Sequence, residues 1–87
     1  MKSRAANSFW RAYQLLPGNI QRTADKQYRL WLDDPRHASI QFKKVQDYWS
    51  ARITDHYRAL GIMDGDTVIW FWIGPHGEYA KLIRRKE

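Results

Sequence analysis

The sequence predicts an α+β domain: an antiparallel helical hairpin packed on one face of an antiparallel β-meander of three to four strands, with a short C-terminal helix. Three observations lead there. Apolar residues recur with a period near 3.6 in the first half of the chain and near 2 in the second. Pro17-Gly18 divides the helical half into two pieces. Asp64-Gly65 sets a tight turn between two strand-like runs.

The elements follow in order. Asn7 or Ser8 is placed to cap a first helix in which Phe9, Tyr13 and Leu16 share a face with Ala12. A second helix carries Ile20, Ala24, Tyr28 and Trp31 along one side. Its other side shows Arg22, Lys26 and Arg29, with Asp25 positioned to pair with Arg29 one turn on. Asp33-Asp34-Pro35 ends it, because a residue before proline avoids the helical region. Ile40 and Phe42 alternate with Gln41 and Lys43 as a half-exposed strand would. Trp49, Ala51 and Ile53 then alternate with Tyr48, Ser50 and Arg52, and a third run covers Tyr57 to Ile62 after a turn at Asp55-His56. Val68 to Ile73 is apolar on both faces and reads as a central strand. Gly74-Pro75 breaks it, and Glu78 to Arg84 forms the last helix.

Composition bounds the function. Eighty-seven residues make one domain, spanning 1–87, and so short a chain needs a dense core. Five Trp, five Tyr and three Phe supply one. With no cysteine there is no disulfide framework or thiolate chemistry, and no cofactor or metal is expected. The first ten residues carry no apolar run of a secretory signal and no stretch is long enough to span a membrane, so a cytoplasmic protein is expected. The net charge of +6 points to an anionic partner, a nucleic acid or an acidic protein.

The polar residues of the strand half suit one chemistry. Cleaving RNA by its own 2′-hydroxyl needs a group to take that proton, another to protonate the leaving 5′-oxygen, and cations for the phosphate. Histidine suits the first two roles, with an unperturbed pKa near 6.5. Arginine suits the third through its planar fork. His76, Arg52, Arg58 and Tyr79 form such a set without a metal, with Lys43 and Lys44 as backbone binders. Each has a plainer explanation. Arg52 and Arg58 can pair with Asp55 or Asp66, His76 can be a solvated turn histidine, and Tyr79 can pin the last helix. His37 and His56 read as loop residues, and Trp70 and Trp72 as core.

The succession of LP-x-x-I, a helix ending in Leu30-Trp31-Leu32, QFKKV, YWSARITDHYRALGI and VIWFWIGPHGEYAKLI resembles the RelE/ParE toxin superfamily of bacterial type II toxin–antitoxin systems. Its most specific parts are R-I-x-x-x-Y-R-A-L-G at Arg52–Gly61 and W-I-G-x-H-x-E-Y at Trp72–Tyr79. The resemblance implies a metal-independent, ribosome-dependent mRNA endonuclease that leaves a 2′,3′-cyclic phosphate. Arg52, Arg58, His76 and Tyr79 would be its active residues, and Lys43 or Lys44 the basic residue before them. ParE-like members instead inhibit DNA gyrase, and an inactive remnant of the fold is a further alternative. Both branches imply a cognate antitoxin, expected to be acidic. Such toxins open with a β-strand, for which only Met1–Arg4 is available here, so that strand is expected to be short or missing. Its loss would leave a sheet edge for an antitoxin strand or a second copy to cover.

Overall fold

The computed structural model describes residues 1–84. Its elements are β1 (Lys2–Ala5), α1 (Asn7–Tyr13), α2 (Gly18–Asp33), β2 (Lys43–Val45), β3 (Tyr48–Thr54), β4 (Tyr57–Asp64), β5 (Thr67–Pro75) and α3 (His76–Arg84). The five strands form one sheet in the order β1-β5-β4-β3-β2. Neighbours from β5 to β2 are antiparallel, and β1 runs parallel to β5.

Four sequence expectations are corrected. The first strand is short but present, so the sheet is mixed and has five strands rather than three to four. Lys2 to Ala5 pair with Thr67 to Trp70, covering the edge of β5 that a missing strand would have left open. The outer edge on that side of the sheet is thus β1 rather than β5. Second, neither Asn7 nor Ser8 caps α1. Ala6 takes the cap position because its N–H still donates to the Trp70 carbonyl at 2.9 Å, continuing the β1 ladder into the helix start. The Ser8 hydroxyl donates instead to the Phe71 carbonyl at 2.7 Å. Third, the alternation at Ile40 to Lys43 belongs mostly to a turn. Gln41 has φ of 49°, which breaks an extended run, and the strand starts only at Lys43. Ile40 and Phe42 are apolar because they anchor that turn in the core. Fourth, Asp25 accepts a hydrogen bond from the Tyr13 hydroxyl at 2.9 Å, tying α2 to α1, in place of the expected partner Arg29. Burial and then Asp25 push the Tyr13 phenol up from its ordinary pKa, so this donor keeps its proton beyond the pH at which free tyrosine ionises.

The core lies between α1, α2 and one sheet face. Leu16, Ala24 and Trp31 from the helical half meet Ile40, Ala51, Ile53, Ala59, Val68, Trp70 and Ile73. Trp31, 2 % exposed, is its centre, with ring centroids 5.5 Å from Trp70, 5.4 Å from Phe42 and 6.2 Å from Tyr28. Ala51, Ala59 and Gly61 are small where the helices need room. A Cβ on Gly61 would stand 2.8 Å from Val68 Cγ1 and 3.1 Å from the Ile69 carbonyl oxygen. The backbone oxygen cannot swing aside, so Gly61→Ala should destabilise the domain by about 1–3 kcal/mol, read by urea denaturation.

One irregularity divides the aromatic residues of β5. Leu60 pairs with Trp72 but the next residue, Gly61, pairs with Trp70, so Phe71 is an extra residue, a β-bulge. Before the bulge Val68 and Trp70 face the helices; after it Ile73 does. Trp72 is therefore turned to the opposite, second face of the sheet. There it shares a cross-strand row with Leu60 and Ser50. Leu60 is wholly buried on that face, and α3 packs against β4 and β5.

Candidate nucleic-acid interface

Side chains alternate along a strand, so Arg52, lying between the core residues Ala51 and Ile53, belongs to the second face. Arg58, preceding Ala59, belongs there too. The two arginines are direct cross-strand partners, and Gly74 is the next member of the row. Like charges set opposite each other repel unless something between them takes the charge. Each guanidinium is anchored separately. Arg52 pairs with Asp55, as the plainer explanation had it, and also donates to the Ser39 carbonyl at 3.3 Å. Arg58 donates through one terminal nitrogen to the carbonyls of Thr54 at 2.5 Å, Tyr57 at 2.9 Å and Asp55 at 3.4 Å. The arginines thus hold the β3–β4 turn from both sides, and their remaining N–H donors are what an added anion would meet. The Arg52 guanidinium bound to Asp55 holds that carboxyl below the usual carboxylate range. The pair therefore persists at mildly acid pH and breaks only as pH falls through that lowered value.

His76 is not in a turn but is the first residue of α3. Its N–H donates to the His56 carbonyl at 2.7 Å, joining the β5–α3 junction to the β3–β4 turn. His56, which reads as an isolated loop residue in the sequence, is thereby next to His76. Tyr79 lies on the same helical turn, with its ring centroid 5.4 Å from the His76 ring. Arg52, Arg58, His56, His76 and Tyr79 thus gather at one end of the sheet, through strand pairing that chain spacing alone does not reveal.

The two lysines separate. Lys43 pairs with Ser50 and belongs to the second face, whereas Lys44 pairs with Trp49, which packs on Phe42 at 4.9 Å on the helix face. Only Lys43 shares a face with the arginines. Sequence reasoning missed Trp72 because six successive apolar residues conceal a bulge. The signal that was present is Gly74, two residues further on. An apolar cleft of about 290 Å³ opens on the helix side beside Phe9, Tyr13, Tyr28 and Trp31. Arg52 also borders it, and no histidine does. No group of three or more His, Asp or Glu side chains among the described residues is spaced to hold a metal ion. Among the same residues no helix is long and apolar enough to cross a membrane.

The architecture is that of the RelE/ParE-like toxins. The chain superposes on the toxin in the RelB–RelE antitoxin–toxin complex of Methanococcus jannaschii with TM-score 0.72, 17 % identity, and coverage of 91 % of this chain and 96 % of that one. It matches YafQ of Escherichia coli with TM-score 0.71 at 10 % identity, covering 90 % and 96 %. The YoeB/ParE toxin of Agrobacterium tumefaciens gives TM-score 0.67 at 20 % identity, covering 87 % and 99 %. No protein-family model and no curated protein sequence matches the chain. At these identities the likeness establishes the fold, and it spans nearly the whole of each chain.

Proposed function

We propose that this protein is the toxin of a type II toxin–antitoxin pair and acts as a metal-independent, ribosome-dependent mRNA endonuclease. The observation that carries the reading is the cross-strand pair Arg52–Arg58, set beside His76 and Tyr79 at one end of the sheet. In this reading a base takes the 2′-hydroxyl proton, the 2′-oxygen attacks phosphorus, and the bond from phosphorus to the 5′-oxygen breaks. An acid protonates that oxygen, leaving a 2′,3′-cyclic phosphate. His76 is the acid or base, Arg52 and Arg58 stabilise charge on the phosphate, and Tyr79 positions the substrate. Lys43 binds the backbone on the same face, and Lys44 contributes at the strand edge. The toxin role is supported by the resemblance in sequence and by neighbours in fold that include toxins solved with their antitoxins. A net charge of +6 suits an acidic antitoxin.

A second reading, inhibition of DNA gyrase without catalysis, is favoured by one observation: both arginines are already engaged by groups of the β3–β4 turn. Primer extension on an mRNA in a purified translation system separates the two. New cuts at codon boundaries, lost in Arg58→Ala, support cleavage. Intact mRNA at saturating folded protein turns the assignment to gyrase or to an inactive remnant of the fold.

The Arg52–Asp55 pair gives a further prediction. Asp55 competes with phosphate for Arg52, so Asp55→Asn should tighten binding of single-stranded RNA by up to roughly five-fold at low salt. The slope of log affinity against log salt should steepen by about 0.7, one added phosphate contact. Titration by fluorescence anisotropy at three salt concentrations measures both.

A further inference from the structure

We infer that Trp72 and Gly74 form a nucleobase-stacking subsite on the second face of the sheet, taking one unpaired base of single-stranded RNA. This rests on the RNA-cleaving reading above and adds a residue to which that reading gives no role.

The bulge at Phe71 sends Trp70 and Trp72 to opposite faces of the sheet. Trp70 is 5 % exposed and its indole N–H donates to the Ser3 hydroxyl at 3.1 Å, as a core tryptophan should. Trp72 differs on both counts. It is only half-buried, and among the described residues its indole N–H has no hydrogen-bond partner. Nor is that N–H sealed from water, since the buried unpartnered side-chain atom among those residues is Trp31 Nε1.

The indole is also laid down in a particular way. A Cβ on Gly74 would stand 2.5 Å from Cζ2 of Trp72 and 3.0 Å from Cη2. The six-membered ring thus lies over Gly74, and any other residue there would push it off. Gly74 is buried beneath it and is the cross-strand partner of Arg58. The Gly74 backbone beneath the ring therefore lies about one strand spacing, roughly 4.8 Å, from the Arg58 backbone. A flat, partly exposed ring beside two arginines matches what single-stranded nucleic acid requires. One side takes a π-face and the other takes the adjoining phosphate. An aliphatic side chain would cover Leu60 as well, but it would need neither a ring nor a glycine under it.

The test uses a labelled, uncleavable 2′-O-methyl oligoribonucleotide of six residues, and versions with one base removed at each position in turn. Binding is read by fluorescence anisotropy at low salt. Trp72→Leu keeps Leu60 covered but removes the ring; Trp72→Phe keeps a smaller ring. Both are checked for an intact fold by near-ultraviolet circular dichroism. Expected are a loss of roughly 5- to 100-fold for Trp72→Leu, a smaller loss for Trp72→Phe, and one abasic position that weakens the wild type but not Trp72→Leu. An abasic penalty of equal size in wild type and Trp72→Leu overturns the subsite while leaving RNA binding in place. No saturable binding by the wild type overturns the subsite, whereas the RNA-cleaving reading falls only if mRNA stays intact in the primer-extension experiment with ribosomes. The abasic series on the wild type alone decides against the subsite if no single position matters.

Discussion

Replacing His76 by alanine should lower single-turnover cleavage of ribosome-bound mRNA by about 10²–10⁴-fold, with binding unchanged. The expectation rests on where the residue is held rather than on its type. The His76 N–H donates to the His56 carbonyl, and Gly74, two residues earlier, is in register with Arg58. The imidazole therefore springs from backbone fixed to the arginine row, yet it is exposed, so it can exchange a proton with solvent between turnovers. A group that transfers protons contributes to the transition state and little to the ground state, so the loss belongs in the rate. Tyr79→Phe keeps the ring that lies beside His76 and should have a smaller effect. Measurement is by quenched-flow cleavage at saturating protein. Weakened binding at an unchanged rate for bound substrate would reassign His76 to recognition.

The second large effect is on stability. Trp31→Ala should destabilise the fold by about 3–5 kcal/mol, most of the margin of a domain this small. Trp31 joins α2 to Phe42 of the turn before β2 and to Trp70 of β5, so its removal opens the core between the helices and the sheet. At the scale of an 87-residue domain this lowers the melting temperature by about 15 °C or more. Trp31→Phe is the informative companion. The indole N–H of Trp31 is buried without a partner, an arrangement that itself costs about 1–3 kcal/mol. Phenylalanine removes that donor while keeping a ring, so the lost packing is partly offset and the change should be much smaller than for alanine. A loss for Trp31→Phe as large as the packing difference between the two rings alone, measured by thermal denaturation, would show that the orphaned donor costs nothing.

What the sequence made legible was set by the range of the forces involved. The helices, β3 to β5 and the two tight turns were readable because local periodicity and turn chemistry dictate them. Asp64 does pair with Thr67 around Gly65, whose φ is 61°. The first strand was not readable, because four residues carry no period and their pairing with β5 spans more than sixty positions of chain. The turn at Ile40 was misread as strand because a buried turn and a half-buried strand both ask for alternate apolar residues. Residue type alone named Arg52, Arg58, His76 and Tyr79 as a set. Their arrangement, the separation of Lys43 from Lys44 and the nearness of His56 depend on register, which single-chain spacing does not encode.

The bulge at Phe71 has a consequence for how the protein can change. On either side of it β5 keeps a regular beat, but the two stretches are half a cycle apart, so one extra residue decides which tryptophan serves the interior and which meets the outside. Point substitutions can tune each ring separately, whereas loss of a residue between Thr67 and Trp70 would turn Trp70 away from the helices, and loss of Phe71 would erase the bulge. The strand behaves as a reading frame: tolerant of changed letters, intolerant of a changed count. Variation in this protein should therefore accumulate there by substitution, with length held fixed between Thr67 and Gly74.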